Sequence, residues 1–119
     1  MKTVLLIEDT AEIRENLSEL LELYSYKVFT ADNGLRGWEM VQEHLPSAII
    51  CDVKMPKMSG FELLQLLRTR ADTACIPFIF ISASAQKHEV MKGENAGAFA
   101  YVTKPFKIEE ILELLEKVC

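Results

Sequence analysis

The chain is poor in the residues that staple or interrupt a fold. Its three cysteines (Cys51, Cys75 and Cys119) are odd in number and show no CxxC spacing. No disulfide or metal staple is implied, and a reduced, cytoplasmic protein is expected. No apolar run approaches the roughly 18 residues needed to cross a bilayer. Met1-Lys2-Thr3 leads into a short apolar run without a cleavage-site pattern, which argues against a secretory signal. The Met1 start suits a domain at the front of its protein. Positive charge is in deficit, 13 Lys and Arg against 18 Asp and Glu, for a net charge of -5. That balance disfavours a phosphate-backbone footprint, so no direct nucleic-acid contact is expected of this domain. No GxxxxGK[ST] sequence occurs, which excludes P-loop nucleotide hydrolysis.

What remains is a chain of 119 residues, half of them hydrophobic. That is one domain, residues 1–119, long enough to bury its own core. No linker or low-complexity tract divides it. Five short runs rich in β-branched and aromatic residues read as strands: Val4–Ile7, Lys27–Ala31, Ala48–Cys51, Pro77–Ile81 and Phe99–Val102. Between them the apolar spacing is helical. Ile13, Leu17, Leu20, Leu21 and Tyr24 form one stripe, Phe61, Leu64 and Leu67 another, and Ile108, Ile111, Leu112, Leu115 and Val118 a third. Ser59-Gly60-Phe61-Glu62 and Asp9-Thr10-Ala11-Glu12 have capping-box spacing, Asn33-Gly34 opens the second helix, and Gly97 ends the fourth. Five strands alternating with five helices, in repeats of this size, require a parallel sheet covered on both faces. The expected fold is therefore a doubly wound α/β domain of flavodoxin-like strand order 2-1-3-4-5.

In that architecture sites form beyond the carboxyl ends of the strands. Glu8-Asp9 ends the first strand, Asp52 the third, Ser82 the fourth and Thr103-Lys104-Pro105 the fifth. Three carboxylates brought together repel unless a cation or protonation relieves them, and oxygen-only donors favour a hard ion such as Mg²⁺. A carboxylate nucleophile, a divalent cation, an ammonium and a hydroxyl are the parts of phosphoryl transfer to an aspartate.

In this order, these motifs resemble a response-regulator receiver domain over essentially the whole chain. They are Glu8-Asp9, the segment Asp52-Val53-Lys54-Met55-Pro56-Lys57-Met58-Ser59-Gly60, Ser82-Ala83, Ala96-Gly97-Ala98 and Tyr101-Val102-Thr103-Lys104-Pro105-Phe106. The resemblance implies that Asp52 accepts a phosphoryl group from a sensor histidine kinase or a histidine phosphotransfer protein. Asp9, Asp52 and the Lys54 carbonyl would ligate Mg²⁺, with Glu8 acting through water. Lys104 would pair with Asp52 and then with the phosphoryl oxygens, and its bond to Pro105 would be cis. Ser82 would bond the phosphoryl group, and Tyr101 would swing inward behind it, remodelling the surface of helix 4, strand 5 and helix 5. Lys54 and Ser84 hold the two positions whose side chains set the lifetime of the phosphorylated form. A phosphorylation-dependent homodimer is a further expectation; the output partner or fused domain is not specified. Gly37 stands where the family usually has Ala, a cost in helix propensity alone.

On this reading the chain is a signalling module rather than a metabolic enzyme, with at most self-catalysed phosphorylation and dephosphorylation. A haloacid-dehalogenase-type phosphatase would carry a second Asp two residues after the nucleophile, where Lys54 stands. A flavin site would need a phosphate-cradling first loop, whereas Asp9-Thr10-Ala11-Glu12 is acidic. The remaining alternative is a phosphorylation-independent pseudo-receiver used for docking or dimerisation. Several residues also have plain structural readings. Asp9 caps the first helix as well as ligating, Cys51 is a buried thiol acting as a small apolar group, and Trp38 packs between the second helix and the sheet. His44, His88, Cys75 and Cys119 are exposed. The leucine pairs Leu63-Leu64, Leu66-Leu67 and Leu114-Leu115 exceed what one stripe can bury, so some face outward.

Overall fold

The computed structural model describes residues 2–84 and 86–118; the expectations for Met1 and Cys119 lie outside them. The strands are β1 (Thr3–Ile7), β2 (Lys27–Ala31), β3 (Ala48–Asp52), β4 (Phe78–Ser82) and β5 (Ala100–Thr103). The helices are α1 (Ala11–Leu23), α2 (Gly34–His44), α3 (Gly60–Arg68), α4 (Lys87–Asn95) and α5 (Ile108–Val118). All pairings are parallel, in the order β2-β1-β3-β4-β5. Strand order thus reverses between β1 and β3, and the first and third strands lie side by side.

Burial on both faces explains why the central strands are continuous apolar runs. Alternate residues divide between two cores. Leu5, Ile7, Ile49, Cys51, Phe78 and Phe80 pack with Met40 and Val41 of α2 and with Leu63, Leu64 and Leu67 of α3. Val4, Leu6, Ala48, Ile50, Ile79 and Ile81 pack with Leu17 and Leu21 of α1 and with Ile111 and Leu115 of α5. No helix among the described residues is long and apolar enough to cross a membrane.

The structure moves several expected boundaries. β3 and β4 each take in the polar residue that follows the apolar run, because Asp52 pairs with Ile81 and Ser82 with Thr103. Phe99 is exposed and precedes β5. The cap of α1 is Thr10, not Asp9; Glu8 Oε2 accepts the Thr10 amide instead, at 3.2 Å. Leu20 and Tyr24 lie outside the buried stripe of α1, whose inward residues are Leu17 and Leu21. The leucine pairs are better buried than their number suggests: Leu63, Leu64, Leu67 and Leu115 are fully enclosed, leaving Leu66 and Leu114 half-buried. Gly97 does end α4. Its φ of 97° lets the Ala98 amide reach the Gly93 carbonyl and its own amide reach Glu94, a Schellman closure.

Gly37 and Gly60 are matters of space. A methyl on Gly37 would come within 2.5 Å of Ile7 Cδ1, so the residue keeps α2 against β1 as well as costing helix propensity. A methyl on Gly60 would collide with the Asp52 carbonyl and the Phe80 ring. Gly60 opens α3, and its amide donates to the Val53 carbonyl at 2.8 Å, folding the β3–α3 loop tightly behind Asp52. Backbone cannot yield as a flexible side chain can. Gly60→Ala should therefore lower stability by about 2 kcal/mol or more, read as a drop in the urea midpoint at constant slope.

Candidate phosphoacceptor site

Each side chain of the site stands on backbone held by the sheet. The Glu8 amide donates to Ala31 at 3.0 Å, Val53 after Asp52 donates to Ile81 at 3.2 Å, and the Lys104 amide donates to Ser82 at 2.7 Å. Residues separated by as many as 96 positions thereby share one rim.

The centre is a lysine shared by two carboxylates. Lys104 Nζ donates to Glu8 Oε1 at 2.6 Å and to Asp52 Oδ2 at 3.0 Å. Glu8 is completely buried and Asp52 is 8% exposed, whereas Asp9 is open to solvent. One carboxylate oxygen from each of Glu8, Asp9 and Asp52 lies within 4.8 Å of the others. The Lys104–Pro105 peptide is cis.

This crowding shifts the protonation equilibria. Burial raises the Glu8 carboxyl from its usual 4.5 to about 7; the Lys104 bond and the Thr10 amide oppose that rise, and the charge of Asp52 adds to it. For Lys104, burial works against the ammonium, but the bonds to Glu8 and Asp52 outweigh it and hold the group above its usual value. Burial, followed by the Asp52 and Glu8 charges, pushes the Cys51 thiol well up, so it stays a neutral core group. A single ammonium therefore leaves the three acids under-compensated. An all-oxygen donor set with one solvent-facing carboxylate suits a hard divalent cation that keeps part of its water shell.

A cavity of about 570 Å³ opens beside the acids. Asp52, Ser82 and Lys104 line it, joined by the exposed Lys54 of the β3–α3 loop and by Ser84, Gln86 and Glu89 from the start of α4. Ser82 is buried, and its Oγ accepts the Ser84 amide at 3.1 Å, leaving the hydroxyl proton free to be donated. Ser84 links three elements: its Oγ accepts the Gln86 amide at 3.3 Å and its carbonyl accepts the Tyr101 hydroxyl at 3.0 Å. The Tyr101 ring is already packed inward, 6.0 Å from Phe80 and against Gly93 of α4. Sequence reasoning brought Glu8, Asp9, Asp52, Ser82 and Lys104 to one place. It missed Gln86 and Glu89, which carry no motif and reach the cavity through the path of a loop. His44 is exposed, stacked 3.9 Å from the Phe29 ring, and neither it nor His88 lines the cavity.

A five-stranded parallel sheet of this order, with an aspartate, a lysine and a hydroxyl at one rim, is the architecture of a receiver domain. The response regulator receiver domain family model matches residues 4–116, and the chain belongs to that family. Response regulator Rre1 of Synechocystis sp. is 33% identical over 110 residues, 92% of this chain and 48% of that protein. The phosphate regulon transcriptional regulatory protein PhoB of Pseudomonas aeruginosa is 32% identical over 117 residues, 98% of this chain and 51% of that protein. The chain thus spans about half the length of these relatives. Among solved structures, the chemotaxis protein CheY4 of Vibrio cholerae superposes with a TM-score of 0.93 at 30% identity, covering 100% of this chain and 99% of that one.

The raised Glu8 carboxyl has a consequence for stability. Between about pH 4.5 and 7 the metal-free folded chain holds a proton that the unfolded chain has lost. Stability contributed by that proton is complete below 4.5 and disappears as pH rises to 7. Glu8→Gln should flatten this segment of the urea-denaturation profile measured in chelator.

Proposed function

We propose that the chain is a phosphorylation-controlled switch in which Asp52 receives a phosphoryl group from the phosphohistidine of a sensor histidine kinase or phosphotransfer protein. The observation that carries this reading is the Lys104 bridge between Glu8 and Asp52, placed beside a cavity that Ser82 also lines. Asp52 is the only carboxylate of the three that lines this cavity.

In the transfer an Asp52 carboxylate oxygen attacks phosphorus while the phosphorus–nitrogen bond breaks, its electron pair returning to the imidazole nitrogen. Lys104 is already fixed against Asp52 Oδ2 and supplies an ammonium to the phosphoryl oxygens without reorganisation. The Ser82 hydroxyl donates to one of those oxygens, and the Ser84 segment bonded to it follows. Asp9, Asp52 and the Lys54 carbonyl would hold Mg²⁺, with Glu8 acting through water, and the ion would neutralise charge that one lysine leaves unbalanced. Tyr101, bonded to Ser84 and packed on α4, carries the change to the surface of α4, β5 and α5. The setting is cytoplasmic, the chain is the recipient of the group rather than a turnover catalyst, and a homodimer formed on phosphorylation uses that same surface. Lys54 and Ser84, at the cavity, set how long the acyl phosphate survives.

Incubation with acetyl phosphate and Mg²⁺ should give a Phos-tag mobility shift that disappears in Asp52→Asn. A wild-type chain that stays unmodified would instead support a phosphorylation-independent docking module. Millimolar Mg²⁺ should raise the melting temperature by mass action, and Asp9→Asn should reduce that rise. An unchanged melting curve would count against the metal assignment. Lys104→Ala should weaken phosphoryl-dependent readouts far more than folding; loss of folded protein would make its role structural.

A further inference from the structure

Three helices of this fold begin with a glutamate at the third position, and one of them behaves differently. In α3, Glu62 Oε1 accepts the amide of the cap residue Ser59 at 3.0 Å, completing a capping box. In α5, Glu110 Oε1 accepts the amide of Lys107, the residue before the helix, at 3.3 Å. In α4 the equivalent pair is Gln86 and Glu89, and the bond is not made. The Gln86 amide goes to Ser84 Oγ at 3.3 Å, and the Gln86 side chain caps nothing. Glu89 lines the phosphoacceptor cavity, and its Oε2 is buried without a hydrogen-bond partner among the described residues.

A buried carboxylate oxygen left without a donor is costly, and a suitable donor lies within its own helix turn. Lys54 and Lys104 line the same space, but Lys104 is already shared by Glu8 and Asp52, so Glu89 faces a rim that also carries negative charge. A phosphoryl group on Asp52 would bring its own negative charge into that space and engage the same ammoniums. Like charges sharing a partly desolvated cavity repel strongly. A rotation back toward the Gln86 amide relieves Glu89 and completes the capping box that α3 already shows.

We propose that Glu89 is a charge-driven capping switch: phosphorylation of Asp52 expels its carboxylate from the cavity onto the Gln86 amide, displacing Ser84 Oγ and resetting the first turn of α4. Ser84 is the residue whose carbonyl holds Tyr101, so the release of its hydroxyl reaches the Tyr101 tether as well. The proposal rests on Asp52 being the phosphoacceptor. By reciprocity, whatever Glu89 loses when the cavity fills appears as weakened binding of the group that fills it.

Beryllofluoride in the presence of Mg²⁺ is the probe, used as a phosphoryl mimic on the full chain. Glu89→Gln removes the charge but keeps an oxygen able to cap, whereas Glu89→Ala removes both. Half-saturation should fall at least about fivefold in both variants, because the repulsion is gone. Amide exchange at Gln86 should slow on loading in wild type and in Glu89→Gln, but not in Glu89→Ala. Equal half-saturation in wild type and Glu89→Gln overturns the proposal, as does a Gln86 amide that does not respond in wild type. If wild type binds no beryllofluoride, the assignment of Asp52 fails, and the capping switch with it. Thermal melts of both variants without beryllofluoride identify any loss of fold.

Discussion

One ammonium group holds the working end of this protein together. Lys104 spans the carboxylates of Glu8 and Asp52, and so ties the ends of β1, β3 and β5 across a rim where negative charge would otherwise drive them apart. Removing either carboxylate would leave the lysine partly paired, and removing the lysine would leave two enclosed acids facing each other. Such an arrangement is weak evidence for stability, since taking charges out of water costs nearly what their attraction returns. What it provides is a preset geometry: an acid, an ammonium and a hydroxyl aimed at one point before any donor arrives.

The residues just behind the rim explain how a local charge could be felt at a distance. Phe80 lies at the middle of this region, 4.9 Å from Phe61 of α3, 4.9 Å from Phe78 and 6.0 Å from Tyr101. Gly60 of α3 packs on the Phe80 ring with no room for a methyl group, and Gly93 of α4 lies tightly against the Phe80 and Tyr101 rings. Close packing of this kind shifts between discrete arrangements more readily than it deforms smoothly. The Ser84 segment is bonded to Ser82, Gln86 and Tyr101 at once, so these three residues share one short connecting element.

Most of the frame was legible in the residue order because the signals were local. Apolar runs of four or five residues marked the strands, turn and cap residues marked the helices, and the rule that sites form at the carboxyl ends of parallel strands selected Glu8, Asp9, Asp52, Ser82 and Lys104. The errors arose where tertiary contact overrode local pattern. Asp9 has a capping residue's chemistry, yet Thr10 holds the N-cap position of α1 without a side-chain cap bond, and its amide donates to Glu8. Gly37 reads as a helix defect until Ile7 is seen against it. Glu89 looks like any first-turn acid, and only its missing partner, in contrast with Glu62 and Glu110, sets it apart.

The wide sequence separation of the central groups bears on biosynthesis. The lysine that balances the acids follows β5, the last strand to be made, whereas Glu8 and Asp52 follow strands made much earlier. A growing chain on the ribosome can assemble β1, β2 and β3 and still lack the cation at that rim. If Asp52 is the phosphoacceptor proposed above, competence to carry phosphate arrives only when β5 docks, and a half-made copy lacks the cation that the rim needs.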